Sequence, residues 1–103
     1  MSAAATPPAG LEPSGVWRHF FELLQRPRPS GHEAAAATYV LDTARARGLD
    51  ARRDEAGNVL IEVPASVGCE AAPRVILQGH LDMVPACAPG VSHDFTRVPP
   101  EPV

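Results

Sequence analysis

The segment RPRPS, residues 26–30, constrains the fold of this chain more than any other feature of its sequence. Each proline fixes its own backbone and disfavours helix in the residue before it, so the segment predicts an extended linker. Apolar residues recur with helical spacing on both sides of the linker. We therefore expect two short helices joined by an extended connection, rather than one long helix.

The first helix is predicted from Val16, in the stretch VWRHFFELLQ. One stripe of apolar side chains is expected to face inward, with two aromatic residues beside it: Val16, Phe20, Leu23 and Leu24, flanked by Trp17 and Phe21. Trp17, Phe20 and Phe21 could instead form a docking patch for a partner, but their helical spacing is more typical of core residues. Pro27 is expected to stop this helix.

The second helix is predicted to begin directly after the linker. Ser30 and Glu33 have the spacing of a capping box, in which the two side chains bind the free amides of a helix start. Gly48 is a natural C-terminal stop. The inward face of this alanine-rich helix is expected to comprise four residues: Ala37, Val40, Leu41 and Ala44.

Strand patterns fill the second half of the chain. LDARRD and NVLIEV predict a hairpin whose turn, EAG, contains the permissive Gly57. RVILQGHL, residues 74–81, is dense enough in aliphatic residues to predict a third strand inside a sheet. Two helices followed by about three strands indicate an α/β fold in which at least one face or edge of a small sheet is left uncovered.

Charge and composition exclude several classes of function. The 103 residues carry 9 basic and 12 acidic side chains, for a net charge of -3, and the arginine cluster near residues 45–53 has acids beside it. Nucleic acid is therefore not an expected partner. No apolar run approaches the roughly 20 residues of a membrane span, so we expect no membrane partner.

The first fifteen residues, MSAAATPPAGLEPSG, lack the basic start and apolar centre of a signal peptide. We expect residues 1–15 to be a mobile leader and the protein to be cytoplasmic. In a reducing compartment, Cys69 and Cys87 are expected to be free thiols. A disulfide between them and a zinc site at Cys87 are the alternatives.

His80 and Asp82 are the candidate site residues. Residues two apart on a strand point to the same face, so this pair is expected to project together from the end of the third strand. A neutral imidazole is a good zinc ligand, and a nearby carboxylate can orient the ring through its other nitrogen. The alternative is a structural pair that hydrogen-bonds to neighbouring backbone.

Four blocks in order distinguish these readings: RPRPSGHE, RDEAGNVLI, LQGHLDMVP and SHDFTRVPPEP. Together they closely resemble the N-terminal segment of bacterial aminoacyl-histidine (Xaa-His) dipeptidases, in the di-zinc metallopeptidase family that includes carnosinases and aminoacylases. The resemblance implies that His80 binds one of two zinc ions and that Asp82 orients it and counts as catalytic. The implied substrate is a dipeptide with a C-terminal histidine, such as carnosine.

The resemblance also implies parts that this sequence lacks, because the remaining metal ligands and a general-base glutamate lie downstream in relatives. Residues 16–103 are thus expected to be an incomplete N-terminal portion of a metallopeptidase catalytic domain. The isolated chain is expected to be inactive, since a catalytic zinc normally has three protein ligands. The resemblance leaves two alternatives open: the full-length enzyme could be a homodimer, and it could use a divalent metal other than zinc.

Two alternatives come from other classes. One is a stand-alone, non-enzymatic module that binds a metal or a partner through a closed site formed by His80, Asp82, His93 and Asp94. The other is a truncated product without a function. His32 and His19 are expected to be solvated surface residues.

Overall fold

The computed structural model describes residues 6–102, which form two helices followed by a two-stranded hairpin. The elements are α1 (Ser14–Leu24), α2 (Ala34–Ala46), β1 (Asp50–Arg53) and β2 (Val59–Glu62). This order confirms the predicted mixed α/β class. Residues 1–5 of the predicted leader lie outside the described residues. No helix within residues 6–102 is long and apolar enough to cross a membrane.

Helix α1 begins at Ser14, two residues before the predicted boundary, and only part of the predicted inward face is buried. Phe21 is only 6% exposed and Leu24 is also buried, whereas Phe20 is 45% exposed and Val16 is open to solvent. Apolar spacing identifies the helix, but neighbouring elements decide which part of a broad apolar surface is covered. The prediction that Val16 and Phe20 face inward is therefore wrong.

The contact of α1 with α2 includes His19, which was predicted to be solvated. The His19 Nδ1 atom lies 2.6 Å from the hydroxyl oxygen of Tyr39 on α2, and the histidine is half-buried. The guanidinium of Arg26 lies over the Tyr39 ring, 4.2 Å from its centre. Tyr39 thus joins the middle of α1, and Arg26 just beyond its end, to the middle of α2.

Helix α2 begins at Ala34, and the predicted capping box does not form. The Glu33 carboxylate accepts the amide of Gly31 at 2.7 Å, while the Ser30 hydroxyl donates to the carboxylate of Asp82, 52 positions along the chain. That distant partner competes successfully with the local cap, which explains the error. At the other end, Gly48 has a φ of 74° and its amide bonds to the Arg45 carbonyl, so the predicted stop is confirmed.

Small residues bring α2 close to the hairpin. Ala36, Ala37 and Ala44 of α2 are buried, as is Ala51 of β1. The predicted inward residues Val40 and Leu41 are half-buried. The Arg45 guanidinium donates to the carbonyl of Ala51 at 3.0 and 3.2 Å, which fixes the end of α2 to the first strand.

The hairpin forms as predicted, with β1 antiparallel to β2 and Ala51 opposite Ile61. Its turn is closed by Asp54 and Asn58. The Asp54 amide donates to the Asn58 carbonyl at 3.0 Å, and the Asp54 carboxylate accepts the Asn58 amide and the Asn58 side-chain nitrogen, both at 2.9 Å. Gly57 has a φ of 91°, a backbone conformation that glycine adopts readily.

The turn predicts an acid-sensitive hairpin. The hydrogen bonds from Asn58 hold the pKa of the Asp54 carboxyl below its usual value, with the side-chain bond contributing most. A lowered folded-state pKa stabilises the fold above the unfolded pKa, and this stabilisation is lost as the pH falls through the folded pKa. Titration of the Asp54 carboxyl carbon by NMR should show the low pKa, and Asn58→Ala should raise it. An unchanged titration in Asn58→Ala would contradict this role of the turn.

The predicted third strand is wrong for residues 74–81. They form no strand, and the side chains of Val75, Ile76 and Leu77 are open to solvent, with Leu77 93% exposed, whereas Leu81 is half-buried. A strand requires hydrogen bonds to a neighbouring strand, and no segment within residues 6–102 pairs with residues 74–81. The α/β fold is thus observed with two strands rather than about three.

Candidate metal-binding site at His80 and Asp82

The candidate site forms where the linker meets the segment after residue 81. The Met83 amide donates to the carbonyl of Arg28 at 2.8 Å, and Pro29 and Met83 form a parallel bridge. Pro29 is buried at this junction. The linker that was predicted to separate the helices therefore also contacts the candidate site, through Arg28 and Pro29.

Three side chains form a hydrogen-bonded chain beside this bridge. The Ser30 hydroxyl donates to Oδ2 of Asp82 at 2.5 Å, and Nδ1 of His80 lies 2.8 Å from Oδ1 of the same carboxylate. Each oxygen of Asp82 therefore has its own side-chain partner. The structure brings the two predicted site residues together and adds Ser30 to them.

The direction of these hydrogen bonds follows from the chemistry of the carboxylate. Hydrogen bonds from Ser30, and secondly from His80, lower the pKa of Asp82, so this carboxyl is ionised near neutral pH and can only accept. Nδ1 of a neutral His80 must then carry the proton, which leaves the lone pair on Nε2. The His80 side chain is 80% exposed, so a ligand can reach it, while the Asp82 side chain is only 31% exposed.

This arrangement fits one ligand of a metal site. Metal-binding histidines usually donate their second nitrogen to a carboxylate, which fixes the tautomer and makes the ring a stronger ligand. Residues 6–102 contain no cluster of three or more His, Cys, Asp or Glu side chains that could hold a metal ion. Because a catalytic zinc normally has three protein ligands, His80 would act together with ligands from outside this stretch.

The closed site of four residues does not form within residues 6–102. Nε2 of His93 lies 2.7 Å from the carbonyl oxygen of Val98, so this ring is engaged in its own loop. Asp94 accepts the hydroxyl of Thr96 at 2.7 Å and its amide at 3.1 Å, and these bonds lower the pKa of Asp94. Local turn bonds thus keep both side chains away from a shared site with His80.

The remaining candidates are exposed side chains. Cys69 and Cys87 are free and exposed, which confirms the expected thiols, and His32 is exposed.

The site itself borders an open groove of about 680 Å³ between the start of α2, the hairpin turn and residues 78–82. Its polar lining includes Glu33, Arg53 and Asn58 in addition to the site pair.

Ser30 is the site residue that the sequence prediction missed. Its spacing from Glu33 indicated a helix cap, and its partner lies 52 positions away, so no local pattern connects the two. The only available signal was its place in the RPRPSGHE block, beside the prolines.

Comparison with known proteins confirms the resemblance to dipeptidases. The chain is 41% identical over 92 residues to the cytosol non-specific dipeptidase of Escherichia coli strain K12, a match that covers 89% of this chain and 19% of that protein. Its fold matches the crystal structure of aminoacylhistidine dipeptidase from Vibrio alginolyticus with a TM-score of 0.81 and 41% identity. That match covers 96% of this chain and 20% of the Vibrio chain.

A further similarity is to a protein of Thermococcus kodakarensis named as a LysW-lysine/LysW-ornithine hydrolase, with 36% identity over 61 residues. That match covers 59% of this chain and 16% of the archaeal protein. No family model matches the chain. The homologues are hydrolases, and the chain spans about a fifth of the length of the dipeptidases it matches.

Proposed function

We propose that this chain supplies the His80–Asp82 side of the active site of a cytoplasmic, zinc-dependent dipeptidase of the aminoacyl-histidine type. The observation that carries the proposal is the 2.8 Å contact of His80 Nδ1 with an ionised carboxylate, on a ring whose other nitrogen is accessible. The homology to two dipeptidases supports the reaction class, and the name of the Escherichia coli relative supports the cytoplasmic location.

In this proposal the residues of the chain have distinct roles. Nε2 of His80 donates its lone pair to one zinc ion of a pair, and Asp82 holds the proton on Nδ1 and keeps the ring oriented. The negative charge of Asp82 makes the imidazole a stronger electron-pair donor to the metal. When bound, the zinc ions would supply Lewis-acid polarisation of the peptide carbonyl and an acidified water at neutral pH.

The proposed substrate is a short peptide, namely a dipeptide with a C-terminal histidine such as carnosine. The name of the Vibrio structure supports a histidine preference, whereas the name of the Escherichia coli relative supports a broader one. The two can be separated by comparing kcat/KM for carnosine and for dipeptides with other C-terminal residues. The proposal expects the histidine dipeptides to be the better substrates.

The isolated 103-residue chain should not hydrolyse dipeptides, even with added zinc. Residues 6–102 offer His80 as a ligand without the cluster that a catalytic zinc requires. Incubation of the purified chain with zinc and carnosine, followed by chromatography of free histidine, checks this expectation. Histidine release that disappears in His80→Ala would contradict it and favour a self-contained site.

The proposal is tested in a chimeric dipeptidase. In this protein, the 92 matching residues of the Escherichia coli cytosol non-specific dipeptidase are replaced by those of the present chain. We expect the chimera to hydrolyse dipeptides, to lose activity on chelation and to regain it with zinc. A chimera that melts cooperatively, binds zinc and yet hydrolyses no dipeptide would overturn the proposal.

A further inference from the structure

We infer that Ser30 is a positioning residue for the His80–Asp82 pair and that the linker, residues 26–30, holds it beside Asp82. The inference rests on the proposed function, because it assigns Ser30 a role in presenting His80 to a metal. Its basis is the position of the Ser30 hydroxyl, which donates to the Asp82 oxygen that His80 does not use.

A carboxylate with a single partner is poorly fixed. The terminal torsion of an aspartate is broad and roughly two-fold, so one hydrogen bond does not define the plane of the carboxylate. In this site the second hydrogen bond, from Ser30 to Oδ2, holds that plane while Oδ1 faces His80. Loss of the hydroxyl would free the partly exposed Asp82 to rotate and would weaken the alignment of the imidazole.

The backbone around Ser30 is itself held on both sides. Before it, the Arg28 carbonyl accepts the Met83 amide at 2.8 Å, and the Arg28 guanidinium donates to the Leu23 carbonyl of α1 at 2.7 Å. After it, the Gly31 amide bonds to Glu33 at 2.7 Å. The bridge between Pro29 and Met83 therefore brings together Ser30 and Asp82, which are 52 positions apart in the sequence.

The Ser30 side chain is not needed to start α2. The helix begins at Ala34, and the N-cap residue before it, Glu33, makes no side-chain capping bond. Ser30 is exposed, so its replacement leaves no buried cavity. The effect of removing the hydroxyl should thus be confined to Asp82 and His80, which makes the substitution a clean probe.

The first test is spectroscopic and uses the zinc-free 103-residue chain. At a pH of about 8, where an imidazole is normally neutral, nitrogen NMR should show His80 with its proton on Nδ1. Ser30→Ala should shift the ring toward a mixture of tautomers, and Ser30→Thr, which retains the hydroxyl, should restore the single tautomer. Ser66→Ala is the matched control, because the exposed Ser66 hydroxyl has no hydrogen-bond partner within residues 6–102.

The second test uses the chimeric dipeptidase loaded with zinc. Partners that orient a metal-binding histidine typically contribute about 10- to 100-fold in metal affinity or activity. We expect Ser30→Ala to lower zinc affinity, measured by competition with a chromophoric chelator, by about 10-fold or more. Ser30→Thr should recover most of the loss, and Ser66→Ala should match the unsubstituted chimera.

The outcomes separate the inference from the proposed function. A Ser30→Ala protein with the same tautomer and the same zinc affinity as the unsubstituted protein overturns the positioning role, even if the chimera is an active dipeptidase. A chimera that folds, binds zinc and hydrolyses no dipeptide overturns the proposed function instead. Because the NMR experiment needs neither zinc nor the rest of the relative, it decides the role of Ser30 even where the chimera does not fold.

Discussion

Replacing His80 with alanine in the chimeric dipeptidase should reduce dipeptide hydrolysis to background. The ring is the zinc ligand that this chain provides in the proposed site, and its side chain is 80% exposed, so a metal can reach it. The measurement is kcat/KM for carnosine at saturating zinc, together with the zinc content of the purified variant. We expect both the activity and the bound zinc to fall.

Two further variants make this result specific. Asp82→Asn retains an oxygen that can accept from Nδ1 of His80 but removes the negative charge, so a loss of about 10- to 100-fold is expected rather than complete inactivation. His32→Ala is the matched control, since that histidine is exposed and its side chain has no hydrogen bond within residues 6–102. Equal effects of His80→Ala and His32→Ala would contradict the assignment of His80.

Phe21→Ala should remove most of the stability of the folded chain. Phe21 is 6% exposed and is the largest of the buried side chains within residues 6–102. Truncation of a buried phenylalanine typically costs about 3–5 kcal/mol, whereas a whole domain is stable by only about 5–15 kcal/mol. Urea denaturation followed by circular dichroism should therefore show a midpoint near zero denaturant or no cooperative transition.

The neighbouring Phe20 gives the control for this prediction. It lies on the same helix and has the same side chain, but it is 45% exposed. Its replacement by alanine should cost clearly less free energy of unfolding than that of Phe21. The predicted stripe from the sequence requires the opposite order, so a larger effect at Phe20 would contradict the orientation of α1 in the structure.

Features that depend on neighbouring residues could be predicted from the sequence. Gly48 ends α2 because glycine readily adopts the positive φ of 74° at that position. The hairpin follows from two short strand patterns around Gly57, and its turn is closed by residues only four positions apart. In these cases the information that decides the structure lies within the segment itself.

Features that depend on distant contacts could not be predicted in this way. The aliphatic pattern of residues 74–81 indicates a strand, but a strand also requires a partner, and none is present within residues 6–102. The exposed face of α1 was assigned wrongly because periodicity does not say which side meets α2. Ser30 was assigned to a helix cap because its partner, Asp82, is 52 positions away.

The candidate site was predictable in part. The spacing of His80 and Asp82 indicated that they act together, although the strand expected to place them is absent and the pair meets at the end of an unpaired segment. The linker aligns the pair through two hydrogen bonds. The Arg28 carbonyl accepts the Met83 amide, and the Ser30 hydroxyl donates to Asp82. The linker that divides the helices in the sequence thus also contacts the candidate site in the structure.

The most direct test of the account is a crystal structure of the zinc-loaded chimera with anomalous diffraction recorded on both sides of the zinc absorption edge. We predict an anomalous peak bonded to Nε2 of His80, with Nδ1 facing Asp82 and the Ser30 hydroxyl on the other carboxylate oxygen. Zinc bound elsewhere, with His80 free in solvent, would contradict the assignment of this chain to the active site of a zinc dipeptidase.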